Sequence, residues 1–214
     1  MSLMRNISCV LLVVLSLSGC TVLKKPVSLN DAEKQLIWEK IQQQILSINN
    51  WELVGRLGLL VHGNSVSVSL SWIQESDAYT IRIDGPFGLS LAHIKGDSTG
   101  VTAKVSGEKQ PLESTSPEDL IQKITGWYLP VSDLKYWVRG LPAPGSESKV
   151  ALNDYGQARI IEQGGWSITY GSYFNAKSIA LPHRLSVHGD NINLKLVIKD
   201  WQMHIPEVVE GADR

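Results

Sequence analysis

Ser98 is the first place to look for reactivity, because Gly96-Asp97-Ser98-Thr99-Gly100 spells G-x-S-x-G by letters. In that pattern a serine nucleophile works only where a strand turns sharply into a helix, which exposes Oγ beside backbone N–H groups that hold the oxyanion. Here Val101, Ala103 and Val105 alternate with polar residues directly afterwards, so the next element is a strand and the pattern is a hairpin turn. The histidines His62, His93, His183, His188 and His204 are scattered without an H-E-x-x-H or comparable metal spacing. His93 and His188 fall inside alternating strands, where a satisfied side chain is the ordinary role. Neighbouring carboxylates occur as Glu118-Asp119, which a helix start already explains, and no glycine loop precedes a helix to cradle phosphate. No enzyme, metal site or cofactor is expected.

The residue that does carry chemistry is Cys20. Arg5 supplies a positive start, and the apolar run Ile7 to Leu17 is about eleven residues, too short to span a hydrocarbon core of roughly 30 Å as a helix. It reads as the core of a signal segment, residues 1–19. Leu17-Ser18-Gly19-Cys20 then resembles the bacterial lipobox, which implies that Cys20 becomes the first mature residue, with a diacylglyceryl thioether and an N-acyl group. Three acyl chains at about 0.8 kcal/mol per buried methylene make a firm anchor. Of the two cysteines, Cys9 leaves with the signal and Cys20 is blocked by lipid, so no disulfide is expected. Thr21, rather than aspartate, follows the cysteine; by the sorting rule of Gram-negative lipoproteins this directs the chain to the outer membrane, facing the periplasm.

With 214 residues and a formal net charge of −1, the chain suits one sizeable globular domain and gives no electrostatic footprint for nucleic acid. Residues 20–29, with Lys24, Lys25 and Pro26, read as a lipidated tether, 30–205 as the domain and 206–214 as a polar tail. A helix is expected after Asn30, which forms a capping box with Glu33. Its stripe Leu36, Ile37, Ile41, Ile45 and Ile48 must lie on something, either the sheet or a cavity, and the letters fit both.

Trp51 to Lys95 is the stretch that organises the rest. Val66, Val68, Leu70 and Trp72 alternate with Ser65, Ser67, Ser69 and Ser71, the period of a half-buried strand. Trp51, Leu53, Leu57, Leu59 and Val61 precede it, with Gly55 and Gly58 where a sheet can bend. Tyr79, Ile81 and Ile83 follow, then Gly85-Pro86-Phe87-Gly88, then Leu89 and Leu91. The segment 107–115 reads as loop. Ser116-Pro117-Glu118-Asp119 starts a helix that runs to Gly126, and a second short helix carries Leu134, Trp137 and Val138 before Gly140-Leu141-Pro142. Further strands around Val150, Ala158 to Glu162, Trp166 to Tyr173, Arg184 to His188 and Ile192 to Trp201 are separated by hairpin turns. The total is ten or eleven antiparallel strands with helices set before and between them.

A curved sheet of that many strands encloses more space than side chains readily fill, eight being near the filled limit. The seven tryptophans and the serine-valine strand fit a wide apolar interior, and in an anchored protein such an interior suits acyl chains. Its candidate lining is Leu57, Leu59, Val68, Leu70, Trp72, Ile81, Ile83, Leu89 and Leu91 with Trp127, Leu134 and Trp137 from the helices, ordinary core being the alternative for each.

The lipobox, Trp51-Glu52-Leu53-Val54-Gly55-Arg56, the strand ending in Trp72, Gly85-Pro86-Phe87-Gly88, and Lys123-Ile124-Thr125-Gly126 through Leu129-Pro130, Trp137 and Gly140-Leu141-Pro142 together resemble the LolB family of outer-membrane lipoprotein receptors. The resemblance runs from the lipobox to about Trp201. It implies an incomplete antiparallel β-barrel with helices as a lid, a protein that accepts lipoproteins from the periplasmic carrier LolA and inserts them into the outer membrane without consuming nucleotide. It also implies that the loop Gly85, Pro86, Phe87, Gly88 projects an apolar residue, usually leucine and here Phe87, that enters the membrane. Two other readings share parts of this pattern. A lipocalin-like lipid-binding module has the cavity without the Cys20 anchor, and a structural envelope lipoprotein has the anchor without transfer activity.

Overall fold

The computed structural model describes residues 29–61, 64–174, 179–189 and 192–203. The signal segment, Cys20, the tether before Leu29, the polar tail, His62 and His204 lie outside them. In chain order the elements are α1 (Asp31–Leu46), β1 (Asn50–Val61), β2 (Asn64–Glu75), β3 (Ala78–Asp84), a single 3-10 turn (Pro86–Gly88), β4 (Ser90–Gly96), β5 (Val101–Val105), β6 (Leu112–Ser114), α2 (Pro117–Thr125), α3 (Val131–Trp137), β7 (Ser148–Leu152), β8 (Ala158–Gln163), β9 (Trp166–Tyr173), β10 (Pro182–Gly189) and β11 (Ile192–Met203).

All eleven strands belong to one sheet in the order β6-β5-β4-β3-β2-β1-β11-β10-β9-β8-β7. Every neighbouring pair is antiparallel. Within the sheet the two halves of the chain therefore pair only at β1 and β11, and the sheet ends at β6 and β7 without closing. The central pair must bend most. There the register slips between Val54 and Gly55, and a Cβ on Gly55 would stand 2.6 Å from the carbonyl oxygen of Val197. Glycine is required because the opposing backbone occupies the place of a side chain.

The strand β6 departs from the loop expected over 107–115. Three residues show too little alternation to be read alone, and only the ladder Val101–Ser114, Thr102–Glu113, Ala103–Leu112 makes them a strand. The capping box of α1 forms as expected, the Glu33 N–H donating to Asn30 Oδ1 at 2.9 Å and the Asn30 N–H to Glu33 Oε2 at 2.8 Å. Its stripe packs inward except at Leu36. Leu36 is 60% exposed, while Trp38 and Ile45 are buried, and Ile48 is buried beyond the helix end. The reason is that α1 lies against the edge strand β7 and the turn after it. Lys34 pairs with Asp154 in that turn, and a Cβ on Gly156 would stand 2.8 Å from Ile37.

At the Trp51 end of the central strands, and under β8 and β9, the interior is solid. Trp51 stands between Trp72 and Trp201, with ring centroids 5.4 and 5.6 Å away, and Leu53, Ile161, Ile168 and Ile198 have no exposure. Three buried polar side chains tie the connections to this core. Gln163 accepts from Trp137 Nε1 at 3.0 Å and from the Ala143 N–H at 2.8 Å, and donates to the Ala143 carbonyl at 2.7 Å. Gln74 accepts from Trp72 Nε1 and donates to the Ser76 and Ala78 carbonyls. Arg139 donates from Nη1 to the carbonyls of Ile45 and Ile48 at 3.3 and 3.1 Å, which covers the negative end of α1. Burial lowers its pKa to about 10.

Candidate functional site: an apolar hollow and a projecting loop

The helices α2 and α3 lie across the concave side of the sheet because each carries one apolar face. Leu120, Ile121 and Thr125 recur at helical spacing on α2, as do Val131, Leu134 and Val138 on and just after α3. Ser116 caps α2, with the Asp119 N–H donating to its Oγ at 3.3 Å, and Gly126 ends it with a φ of 80°. Glu118 joins the two helices by accepting from the Ser132 N–H at 2.8 Å and from the Ser116 hydroxyl at 3.1 Å. Burial works against its charge, but these hydrogen bonds outweigh burial and hold the carboxyl below its ordinary pKa.

Between these helices and the sheet is a hollow with a cavity volume of about 160 Å³. Leu57, Leu59, Leu70, Trp72, Ile81 and Ile83 line it from the meander, and Trp127 and Leu134 from the helical segment. Four residues expected there are elsewhere. Val68 is buried outside the lining, and Leu91 packs on Gly85. Leu89 is 61% exposed at the loop. Trp137 is fully buried on the flank of α3 turned to the solid core, where its carbonyl accepts from the Tyr170 hydroxyl at 2.8 Å.

The far wall was missed from sequence. Leu185, Val187, Ile192, Leu194 and Leu196 of β10 and β11 complete the lining, with Ile94, Leu120, Ile121, Leu129, Val131 and Val138. The alternation of β11 was visible, but nothing in the letters says that it faces β3 across a gap. Hardly any polar surface is present. Thr125 lines the hollow, yet its hydroxyl donates to the Ile121 carbonyl at 2.8 Å. Tyr79 also lines it, with a hydroxyl that is buried and has no partner among the described residues. Burial, and then the charges of Glu118 and Asp97, push its pKa up to about 12.

Phe87 stands apart from all of this, fully exposed, with a φ of 59° and ψ of 19°. The turn around it is tied by the Gly85 N–H donating to the Leu89 carbonyl at 2.8 Å and the Leu89 N–H to the Pro86 carbonyl at 3.3 Å. Exposing the ring forfeits about 2 kcal/mol, and left-handed backbone costs a non-glycine residue about 1 kcal/mol more. A turn with nothing to present would not keep both costs. The hollow reaches the same end of the sheet, since Ile83 is one residue from the end of β3 and Leu59 and Ile192 pair near the ends of β1 and β11 with Leu194 and Val61.

The G-x-S-x-G letters fall where expected, in the turn between β4 and β5. Asp97 there accepts from the N–H and hydroxyl of Thr99, and no helix follows. Among the described residues no helix is long and apolar enough to cross a membrane.

Comparison with known proteins agrees with this architecture. Residues 49–201 match the family described as outer membrane lipoprotein LolB. An outer-membrane lipoprotein LolB of Pseudomonas syringae pv. syringae is 39% identical over 186 residues, 87% of this chain and 90% of that protein. Its counterpart in Stutzerimonas stutzeri is 34% identical over 202 residues, 94% of this chain and 97% of the relative. In fold alone, the crystal structure of a LolA superfamily protein from Nitrosomonas europaea superposes with a TM-score of 0.50 at 11% identity, covering 80% of this chain and 93% of that one. An open eleven-stranded sheet around an apolar hollow, with this likeness along almost its whole length, places the chain in the LolB family of outer-membrane lipoprotein receptors.

Proposed function

We propose that the hollow under α2 and α3 holds the acyl chains of lipoprotein cargo received from the carrier LolA, and that Phe87 enters the lipid while the cargo is delivered beside it. The observation that carries this reading is the pairing of an almost wholly apolar hollow with a fully exposed, backbone-strained phenylalanine at the same end of the sheet. Transfer without fuel needs only a rising series of affinities, from carrier to receptor to bilayer. Each tenfold step requires about 1.4 kcal/mol, less than the burial of two methylenes. Lipid on Cys20 keeps the protein at the leaflet that the cargo must reach, and one copy suffices because the hollow is bounded by a single chain.

The test is transfer of a lipoprotein from LolA to outer-membrane vesicles. Phe87→Glu is expected to take up cargo like the parent protein and to fail at insertion, with an unchanged melting temperature. A variant that folds but no longer takes up cargo would overturn this division of roles. Radioactive palmitate should label the parent protein and not Cys20→Ala. A wholly structural envelope lipoprotein would be labelled yet accept nothing from the carrier.

A further inference from the structure

The outer face of the sheet beside the projecting loop carries a row of cations that folding alone does not explain. Arg82 of β3 is opposite His93 of β4, and His93 is opposite Lys104 of β5, while Lys95 lies one step along β4 on the same face. The alternate residues Ile81, Ile94 and Ala103 are buried, so these four point outward, and Arg82, Lys95 and Lys104 are exposed. Directly opposed residues in an antiparallel pair bring their Cβ atoms within about 5 Å, so His93 is flanked by Arg82 and Lys104, and no carboxylate is directly opposite Arg82, Lys95 or Lys104. The imidazole registers the crowding. Its pKa is lowered first by burial and then by Lys95, Arg82 and Lys104, so His93 stays neutral between cations.

The acids at this end do not neutralise the row. Asp84 ends β3 on the same face, Glu108 sits in the turn after β5, and Glu113 is opposite Thr102. Among the described residues the only ion pair within 4.0 Å is Lys34 with Asp154, on another part of the molecule. Arg82 lies two residues from the end of β3, roughly 7 Å along the strand, and His93 and Lys104 are level with it. Long cationic side chains here can meet a charged plane into whose interior Phe87 and Leu89 dip.

We propose that Arg82, Lys95 and Lys104 form a docking face for the anionic headgroups of phospholipids, which presents the Phe87 loop to the bilayer. It rests on the reading of Phe87 as a membrane-entering residue and adds to it the lipid class that the receptor prefers. Charge complementarity, and continuity of the row with the only two large apolar side chains of this loop that are exposed, single out a charged lipid surface as the occupant. Each cation near an anionic leaflet strengthens binding about fivefold, and salt weakens it.

The experiment uses the lipidated protein reconstituted in vesicles, with an environment-sensitive fluorophore on Leu89→Cys, measured in phosphatidylcholine alone and with about a quarter phosphatidylglycerol. The fluorophore of the otherwise unchanged protein should report lipid more fully when phosphatidylglycerol is present and lose that increment in high salt. In R82Q/K95Q/K104Q the increment should fall by about fivefold for each cation lost, whereas K149Q/R159Q/K199Q, with the same change of net charge elsewhere, should keep it. An increment equal in both triple variants overturns the proposal, including the case in which the row serves an acidic protein surface instead. A fluorophore that stays in water in both membranes overturns it together with the insertion reading, while insertion indifferent to phosphatidylglycerol overturns the docking face alone.

Discussion

The two sides of α3 show how one sheet can be solid in one half and hollow in the other. On one flank Trp137 is fully buried, with its indole N–H donating to Gln163, its carbonyl accepting from Tyr170, and its ring 6.3 Å from that of Trp166. On the other flank Leu134 and Val138 face leucine and isoleucine across a gap. Rings whose polar handles are paired, as those of Trp137 and Tyr170 are, fill space and fix position, because the handle meets its partner in only one arrangement. Aliphatic walls have no such demand, so they tolerate a gap at the cost of lost dispersion contacts. The packed half anchors the helices, and the slack half is free to admit a ligand.

The largest test of this contrast is truncation on each flank. Trp137→Ala should cost about 4 kcal/mol and leave Gln163 without its indole donor. Leu134→Ala, beside space that already exists, should cost about 1 kcal/mol and enlarge the hollow. Urea denaturation of both variants measures the ratio, and equal losses would mean that the two flanks are packed alike. Next in size is Arg139→Met, which keeps an unbranched apolar stem but removes the guanidinium from over Trp51 and Tyr136 and leaves the Ile45 and Ile48 carbonyls without their donor. About 2 kcal/mol should be lost, with α1 released first, as amide hydrogen exchange along residues 31–46 would show.

The junction of α2 and α3 at Glu118 gives a smaller effect that depends on pH. Glu118 has a depressed pKa, so its contribution is complete above the carboxyl's unfolded value near 4.5 and fades as acid titrates it below that. Asp133 runs the other way, since burial first and Glu118 second raise its pKa, which softens the net slope. Glu118→Gln should therefore lower stability by under about 1 kcal/mol at neutral pH, discounted for its solvent exposure. It should also flatten the acid limb of the melting temperature below pH 4.5.

Much of this layout could be read before any coordinates. The alternation from Trp51 to Leu91 yields the meander because a period of two admits no other element. The caps at Asn30 and Ser116 locate helix starts because their side chains have a definite partner three residues on. What stayed hidden depends on partners distant in the chain. Leu36 turns outward because α1 meets a sheet edge rather than a face, and Leu112–Ser114 is a strand only because β5 pairs with it. Trp137 and Trp127 look alike as letters, and only the third dimension sends one to the core and the other to the hollow. Gln163 gives no signal at all, since a lone glutamine at a strand end is usually on the surface.

The finest distinction concerns Tyr79, which among the described residues is the one side chain lining the hollow with a buried, unsatisfied polar atom. Its hydroxyl is buried without a partner, at the end of a ring that covers Gly96, where a Cβ would stand 2.4 Å from the oxygen. An orphaned hydroxyl contributes desolvation cost and no hydrogen bond, so Tyr79→Phe should stabilise the protein by roughly 0.5 kcal/mol at pH 7. The gain should widen in alkali. The folded phenol titrates at about 12 against 10.0 when unfolded, so the parent chain loses this site's contribution as pH rises above 10, and the phenylalanine variant does not. Tyr170 and Tyr173 are also raised by burial and impose their own alkaline loss on both proteins, so the difference between the two unfolding curves isolates Tyr79. If the variant is instead less stable at pH 7, the hydroxyl has a partner, and the lining of the hollow includes a polar contact where only hydrocarbon is now assigned.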